Sequence, residues 1–228
     1  MTLRTLEDIA ALEQQGFDAV YPEKSPWDIL QAGARATPDA MAIRYLNDAA
    51  NPSQDTILTY RDLASQVMAA ARLFRAHGVR GNRSVILLSQ HTASAQTALW
   101  GAQVAGVACP INPMLTPTHI AALIEAANGA VLIVTAPNSE VDYWSTLVPA
   151  LRALGITLPI LACDGDPAYE CHGSNGTFED MLRDHQHGDA LVPEGGPDTL
   201  AALYHTGGTT GAPKLVKHSR LNEAHVAR

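Results

Sequence analysis

The residue types best suited to chemistry are concentrated in one short run, from Thr206 to Lys214. The run holds three glycines, three threonines and a terminal lysine. Glycines admit positive φ angles, so several backbone N–H groups can converge on one point, while the hydroxyls add donors and the lysine adds positive charge. These are the groups that bind an oligophosphate. We therefore predict a phosphate-binding loop whose contact residues are Thr206, Gly207, Gly208, Thr209, Thr210, Gly211 and Lys214.

This loop differs from two common phosphate-binding signatures. A Walker A loop ends in Gly-Lys-Ser/Thr, whereas Ala212 and Pro213 separate Gly211 from Lys214, and the chain contains no Gly-x-Gly-x-x-Gly. A run rich in glycine and threonine can also be a plain flexible connector. The fixed order Gly-Gly-Thr-Thr-Gly-x-Pro-Lys argues against coincidence, at odds on the order of one in a million at any start position.

The charge of the chain is strongly uneven along its length. The formal net charge is −8, yet residues 199–228 hold four lysines and arginines against a single acidic residue, Glu223. Positive charge is thus concentrated where an anion would bind. The acidic remainder disfavours a nucleic-acid partner or an anionic membrane surface. The apolar runs also fall far short of the roughly 20 residues that a membrane span needs, so we expect no membrane span.

Other chemically capable residues do not form a recognisable site. The three cysteines include no C-x-x-C pair, so we expect neither a disulfide framework nor a thiolate zinc site. His185 and His187 have no further ligands at suitable spacing, and we expect no metal site. The cysteine usage and the lack of an export signal favour the cytoplasm. His205, just before the loop, either approaches a phosphate or packs at the end of a strand.

Apolar periodicity predicts alternating strands and helices ahead of the loop. Residues 61–77 have helical spacing and end at Gly78, and Thr116-Pro117 offers an N-cap followed by proline at the first helical position. This alternation indicates an α/β fold with a largely parallel sheet flanked by helices. The predicted strands are 41–46, 56–60, 85–88, 107–111, 130–135, 158–162 and 200–204, the first two as a hairpin. The predicted helices are one around Trp27 and those at 61–77, 92–104, 116–127, 143–154 and 178–184.

Composition also suggests where the chain divides. Residues 1–60 are predicted to form an N-terminal helix and hairpin segment, and residues 61–187 an α/β sheet subdomain. Residues 188–198 have linker composition and are expected to separate the sheet from the final strand and loop. Residues 199–228 would supply that strand, the phosphate-binding loop and the start of the next subdomain.

Residues Thr206 to Lys214 resemble the phosphate loop of the AMP-forming adenylating enzymes. These include acyl-CoA synthetases, peptide-synthetase adenylation domains and luciferases, and their loop continues with glycine where this chain has Leu215. Segments 27–43, 59–63 and 101–113 are similar to the family's opening segments, in the same order. Gly-Gly before Thr-Thr looks most like the acyl-CoA synthetase branch.

The resemblance implies a reaction and a set of ligands. Such enzymes join a carboxylic acid to ATP with Mg²⁺, giving an acyl-adenylate and pyrophosphate, and then transfer the acyl group to a thiol, usually that of coenzyme A. The seven loop residues would hold the β- and γ-phosphates and steady the leaving pyrophosphate. The family's catalytic residues match no position of this chain.

The resemblance also implies that the chain is the N-terminal portion of an acyl-CoA synthetase-like large domain. We expect such a portion to be inactive alone, to act in fatty acid metabolism when complete, and to be capable of forming a homodimer. The alternative is a non-catalytic module that binds nucleotide or phosphate, or that only mediates assembly. Which carboxylic acid is used stays open at this stage.

Overall fold

The computed structural model describes residues 4–138, 140–165, 171–206 and 214–227. Its helices are α1 (Leu6–Glu13), α2 (Phe17–Val20), α3 (Pro26–Ala36), α4 (Tyr60–Ala76), α5 (Ala93–Ala105), α6 (Pro117–Ala126), α7 (Leu147–Ala153), α8 (Phe178–Asp184) and α9 (Arg220–Val226). Its strands are β1 (Met41–Tyr45), β2 (Thr56–Thr59), β3 (Ser84–Leu88), β4 (Val107–Pro110), β5 (Gly129–Thr135), β6 (Ile160–Cys163), β7 (Leu200–His205) and β8 (Leu215–Ser219).

The main sheet is largely parallel, as the alternation of strands and helices predicts. Its order among the described strands is β6-β5-β3-β4-β7-β8. The pairs β3–β4, β3–β5, β4–β7 and β5–β6 are parallel, and only the pair β7–β8 among the described strands of this sheet is antiparallel. Strands β1 and β2 form a separate antiparallel hairpin. The predicted α/β class and the predicted hairpin are confirmed.

Two apolar cores cover the two faces of this sheet. In β3, Val85 and Leu87 belong to one core, while Ile86 and Leu88 belong to the other. The first core is completed by α3, α4, α5 and α8, and the second by α6 and α7. A strand buried on both faces explains why β3 is a continuous apolar run instead of an alternating one.

Local signals set most helix ends. Thr59 and Asp62 form a capping box at the start of α4, and Gly78 follows its end with φ of 78°. Thr116 caps α6 through the N–H of His119, with Pro117 as its first residue. These ends agree with the sequence prediction.

The helix predicted over residues 143–154 begins later than expected, at Leu147. The Asp142 carboxylate accepts the backbone N–H groups of Trp144 and Ser145, each at 3.0 Å. The Trp144 indole N–H donates to the Thr135 carbonyl at 2.9 Å. An aspartate that bonds to nearby N–H groups stabilises a turn in competition with the helix, so the helix starts after it.

The segment 188–198 does not separate the sheet from the final strands, and that expectation is wrong. Strand β7 lies beside β4 in the same sheet, with Ala202 opposite Ala108. The segment is also bonded to helix α4, because the Arg72 guanidinium donates to the carbonyls of Gly188 (2.8 Å) and Asp189 (2.9 Å). The domain boundaries themselves, at residues 60, 187 and 198, stay predictions.

Candidate functional site

The two ends of the predicted phosphate loop are held together by the β7–β8 hairpin. The Thr206 N–H donates to the Lys214 carbonyl at 3.1 Å, directly beyond the last strand pair, His205 opposite Leu215. Both Thr206 and Lys214 are exposed. Gly207, Gly208, Thr209, Thr210 and Gly211 lie outside the described residues, so their role stays a prediction. The structure therefore brings Thr206 and Lys214 together at the base of the loop. We call this bonded pair the loop mouth.

The loop mouth lies at the carboxyl edge of the parallel strands. Helix α5 connects β3 to β4 across one face of the sheet, and α6 connects β4 to β5 across the other. The strand order therefore reverses between β3 and β4. In open α/β sheets, ligands bind outside the carboxyl ends of the strands at such a switch point.

A cavity of about 500 Å³ opens at this switch point and reaches the loop mouth. Apolar and polar side chains both line it. Its polar lining is supplied by Ser89, Gln90, His91, Gln96, Asn112, Tyr143, Tyr204 and His205, and its apolar lining by Leu87, Ala95, Leu99, Pro110, Ile111, Pro113 and Met114. A cavity of this size can hold part of a small organic ligand next to a bound phosphate.

His205 joins the loop mouth to the end of β4. The Asn112 backbone N–H donates to His205 Nε2 at 3.1 Å, and the half-buried ring lines the cavity. A nitrogen that accepts a hydrogen bond carries no proton, so Nδ1 bears the proton of a neutral ring. The sequence left His205 open between a phosphate contact and a packed strand end, and the structure places it at the cavity with a backbone partner.

Sequence reasoning missed most of the residues that line the cavity. Gln90 and His91 follow β3, and Asn112 follows β4. Gln90 is held by the Thr135 hydroxyl, which accepts its backbone N–H at 2.9 Å, and by the Asn138 side chain at 3.2 Å. Their position after consecutive parallel strands is the signal that could have found them, since such strand ends meet at one edge.

A second polar cluster lies at the same edge of the sheet, beside the end of β6. The Thr92 hydroxyl donates to the Asp164 carboxylate at 2.6 Å, and the Asp164 backbone N–H donates to the Glu179 carboxylate at 3.0 Å. Burial raises the pKa of Glu179. The pKa of the Cys163 thiol is also raised, mainly because burial removes it from water and further because the Asp164 and Glu179 carboxylates lie nearby. A buried thiol that keeps its proton is a poor nucleophile.

Cys109 and His185 are two further candidate groups, and both have structural surroundings that favour no catalytic role. Burial raises the pKa of the Cys109 thiol to about 12. His185 Nδ1 lies 2.8 Å from the Met181 carbonyl at the end of α8.

In the part of the chain that the structure describes, no group of three or more His, Cys, Asp or Glu residues could hold a metal ion. Nor does any helix among those residues have the length and apolar character to cross a membrane.

Comparison with known families identifies this arrangement. The family model described as "AMP-binding enzyme" matches residues 30–227, which is most of the chain. The chain belongs to this family. The predicted resemblance to the AMP-forming adenylating enzymes is therefore confirmed at the level of the family.

Relatives of this AMP-binding chain include both thiol ligases and peptide synthetases. Marinolic acid–CoA ligase of Pseudoalteromonas sp. is 26% identical over 224 residues, which cover 95% of this chain and 33% of that protein. Nonribosomal peptide synthetase fso1 of Omphalotus olearius is 30% identical over 188 residues, which cover 82% of this chain and 4% of that protein. The chain thus spans a third or less of the length of these relatives.

A solved structure confirms the fold of the AMP-binding chain. The anthranilate CoA ligase AuaEII, solved in complex with anthranoyl-AMP, matches with a TM-score of 0.71 and 21% identity. The match covers 86% of this chain and 35% of that one. The expected α/β fold of adenylate-forming enzymes is therefore the fold of this chain.

Proposed function

We propose that this chain carries the ATP pyrophosphate-binding loop of an AMP-forming acyl-CoA synthetase. The observation that carries the proposal is the closed loop mouth between Thr206 and Lys214, placed beside a cavity at the switch point of the sheet. The exposed lysine supplies a cation where the β- and γ-phosphates would lie. The cavity beside it would receive another part of the ligands.

The reaction proposed for the complete enzyme is carboxylate activation. A carboxylate oxygen of the acid attacks the α-phosphorus of ATP, the bond to the bridging oxygen of the β-phosphate breaks, and pyrophosphate leaves with that electron pair. A thiol then displaces AMP from the acyl-adenylate. The contribution of this chain is to hold the departing pyrophosphate through Lys214, Thr206 and the predicted loop groups, and thereby to stabilise developing negative charge.

Magnesium enters this proposal only as the ion that accompanies ATP. Among the described residues no cluster of carboxylates or imidazoles could hold it alone. We therefore assign no residue of this chain to magnesium and derive no step through it.

Coenzyme A is the thiol that we propose for the second step. One relative, marinolic acid–CoA ligase, aligns with 95% of this chain and is a CoA ligase by name. The pair Gly207-Gly208 before Thr209-Thr210 also favours the CoA-ligase branch. Cytoplasmic location, a role in fatty acid metabolism and a homodimer remain parts of the proposal.

The test of this function is Mg-ATP binding by the wild-type chain and by Lys214→Ala, measured by calorimetry and thermal shift. We expect the wild type to bind and the variant to bind about tenfold or more weakly, because a charge-assisted contact to phosphate is lost. Lys217→Ala is the matched control, since Lys217 is also exposed and lies close to Lys214 in the chain, on β8. A wild type that does not bind Mg-ATP, or an equal loss in both variants, would contradict the proposal.

A further inference from the structure

One carboxylate joins three elements behind the loop mouth. Glu223 of α9 accepts a hydrogen bond from the Tyr204 hydroxyl of β7 at 3.1 Å and from the Gln103 amide of α5 at 3.2 Å, both on Oε2. Its Oε1 lies 2.6 Å from Nδ1 of His218 on β8. The two strands that carry the ends of the loop are thus tied through one side chain to a helix of the main α/β layer.

The side chains that form these contacts with Glu223 are largely shielded from water, which strengthens the hydrogen bonds. The Glu223 side chain is 15% exposed and that of His218 is 32% exposed. The ring of Tyr204 packs edge-on against His218, with centroids 4.9 Å apart. Burial and the Glu223 carboxylate raise the pKa of Tyr204, so its hydroxyl keeps its proton and stays a donor. In a site largely shielded from water, hydrogen bonds to a carboxylate are stronger than at the surface.

The hairpin has few backbone attachments to the rest of the sheet. Strands β7 and β8 pair at five positions with each other, from Leu200–Ser219 to His205–Leu215. In contrast, β7 pairs with β4 at one described position, Ala202–Ala108. Backbone pairing of the hairpin with β4 is therefore limited, and side-chain contacts of β7 and β8 help to fix where the hairpin lies.

We propose that Glu223 is a positioning residue for the phosphate loop. Through Tyr204 and His218 it holds β7 and β8 against Gln103 of α5, and so fixes where Thr206 and Lys214 stand relative to the cavity. This inference rests on the proposed function, because the expected consequence of correct positioning is binding of the pyrophosphate part of ATP. Glu223 itself touches neither phosphate nor acid in this proposal.

The position of the network along the chain supports this role. Tyr204 lies two residues before Thr206, and His218 lies four residues after Lys214. A displacement of either anchor is transmitted along a short extended strand to the matching end of the loop. The Asn112–His205 bond acts directly on the β7 side of the mouth. The His218–Glu223 contact acts directly on the β8 side, which carries the lysine.

The first measurement is backbone amide exchange by NMR in the wild type, Glu223→Gln and Glu125→Gln. In Glu223→Gln an NH₂ group, which cannot accept a hydrogen bond, replaces one carboxylate oxygen, and the remaining contacts to Tyr204, Gln103 and His218 are no longer charge-assisted. We expect exchange at the Thr206 amide to accelerate about tenfold, which corresponds to ~1.4 kcal/mol, while Ile86 in β3 stays within about twofold. Glu125→Gln, an exposed site on α6, should leave both unchanged.

Tyr204→Phe is the second variant, and it keeps the test valid if Glu223→Gln does not fold. It removes one donor and preserves the ring against His218, so we expect the same pattern at Thr206 with a smaller amplitude. Unchanged exchange at Thr206 in both variants would overturn the inference. So would equal acceleration at Thr206 and Ile86, because that result would indicate general destabilisation.

The second measurement is the affinity of the same proteins for inorganic pyrophosphate with Mg²⁺. We expect Glu223→Gln to bind about tenfold more weakly than Glu125→Gln and the wild type. Failure of the wild type to bind pyrophosphate would contradict the proposed function, whereas the Thr206 exchange data would still decide whether Glu223 positions the hairpin. Normal pyrophosphate binding by a folded Glu223→Gln would overturn the positioning role.

Discussion

At the scale of the residue, Glu179 shows how burial alters an acid at the edge of the sheet. Its carboxylate accepts the Asp164 backbone N–H, and desolvation is the main cause of its raised pKa. Asp164 stands at φ of 57°, in the left-handed region that aspartate, asparagine and glycine adopt more readily than other residues. The carboxylate of Glu179 stabilises this turn, although its own charge is partly shielded from water.

We predict that Glu179→Gln changes how stability depends on pH. Because the folded pKa is raised, the folded wild type holds its proton more tightly than the unfolded chain, and its stability falls as pH rises from about 4.3, the unfolded value, through the folded pKa. Glutamine can still accept the Asp164 N–H and does not ionise. Urea unfolding from pH 4 to 8 should show the variant gaining stability over the wild type across that window.

Glu125→Gln, at an exposed position of α6, is the control for this experiment. We expect the difference between this variant and the wild type to vary little over the same pH range. If the difference between Glu179→Gln and the wild type were also independent of pH, the raised pKa of Glu179 would be disproved.

At the scale of the element, helices α4 and α5 approach closely through small residues. Gly101 of α5 faces Ala70 and Ala71 of α4, and a Cβ atom at position 101 would lie 2.5 Å from Ala70 Cβ. It would also lie 3.2 Å from the Val67 carbonyl oxygen. This contact sets the position of α5, which precedes β4 and carries Gln103 of the Glu223 network.

We predict that Gly101→Ala lowers the free energy of unfolding by about 1–2 kcal/mol. Overpacking typically costs about 1–3 kcal/mol, and the better helix propensity of alanine returns up to about 1 kcal/mol. Gly196→Ala is the matched control, because no atom lies within 4 Å of its added Cβ. Chemical unfolding of both variants measures the difference. A variant Gly101→Ala as stable as the wild type would show that the two helices can separate without cost.

At the scale of the whole molecule, one arginine ties the segment after α8 to the helix layer. The Arg72 guanidinium of α4 donates to the carbonyls of His185 (3.1 Å), Gln186 (2.9 Å), Gly188 (2.8 Å) and Asp189 (2.9 Å). Further along, the Arg220 guanidinium donates to the Glu194 carbonyl at 2.6 Å, and Arg75 forms an ion pair with the Glu194 carboxylate. The segment that leads to β7 is therefore bonded by arginine side chains at several points along its length.

We predict that Arg72→Lys destabilises the chain by about 2–3 kcal/mol, because a single ammonium group cannot satisfy four carbonyls as a planar guanidinium does. Cleavage after Glu194 by a glutamate-specific protease should accelerate as well. The control is Arg61→Lys, whose exposed ion pair with Asp39 contributes at most about 1 kcal/mol. Equal stability and equal cleavage in the two variants would contradict this account.

Local chemistry allowed much of the fold to be predicted from sequence. Periodicity and caps identified α4, α5 and α6 because the signals, such as Thr59 with Asp62, lie within a few residues of each other. The start of α7 was predicted four residues too early, since Asp142 bonds to the backbone in a way that periodicity does not record. The loop motif was found by composition and order, and the family match bears out the resemblance that it suggested.

The sequence by itself determined most elements of the sheet ahead of the loop, the α/β class and the phosphate-loop motif, whereas β8 and α9 after the loop were not predicted. Only the tertiary structure decided that β7 lies beside β4, that His205 meets Asn112, and that Glu223 joins α5 to both strands of the hairpin. The physical reason is distance along the chain. Ala108 and Ala202 pair through backbone groups that every residue has. The sequence of an apolar strand therefore does not indicate which strand it pairs with. The cavity and the Glu223 network depend on that strand order.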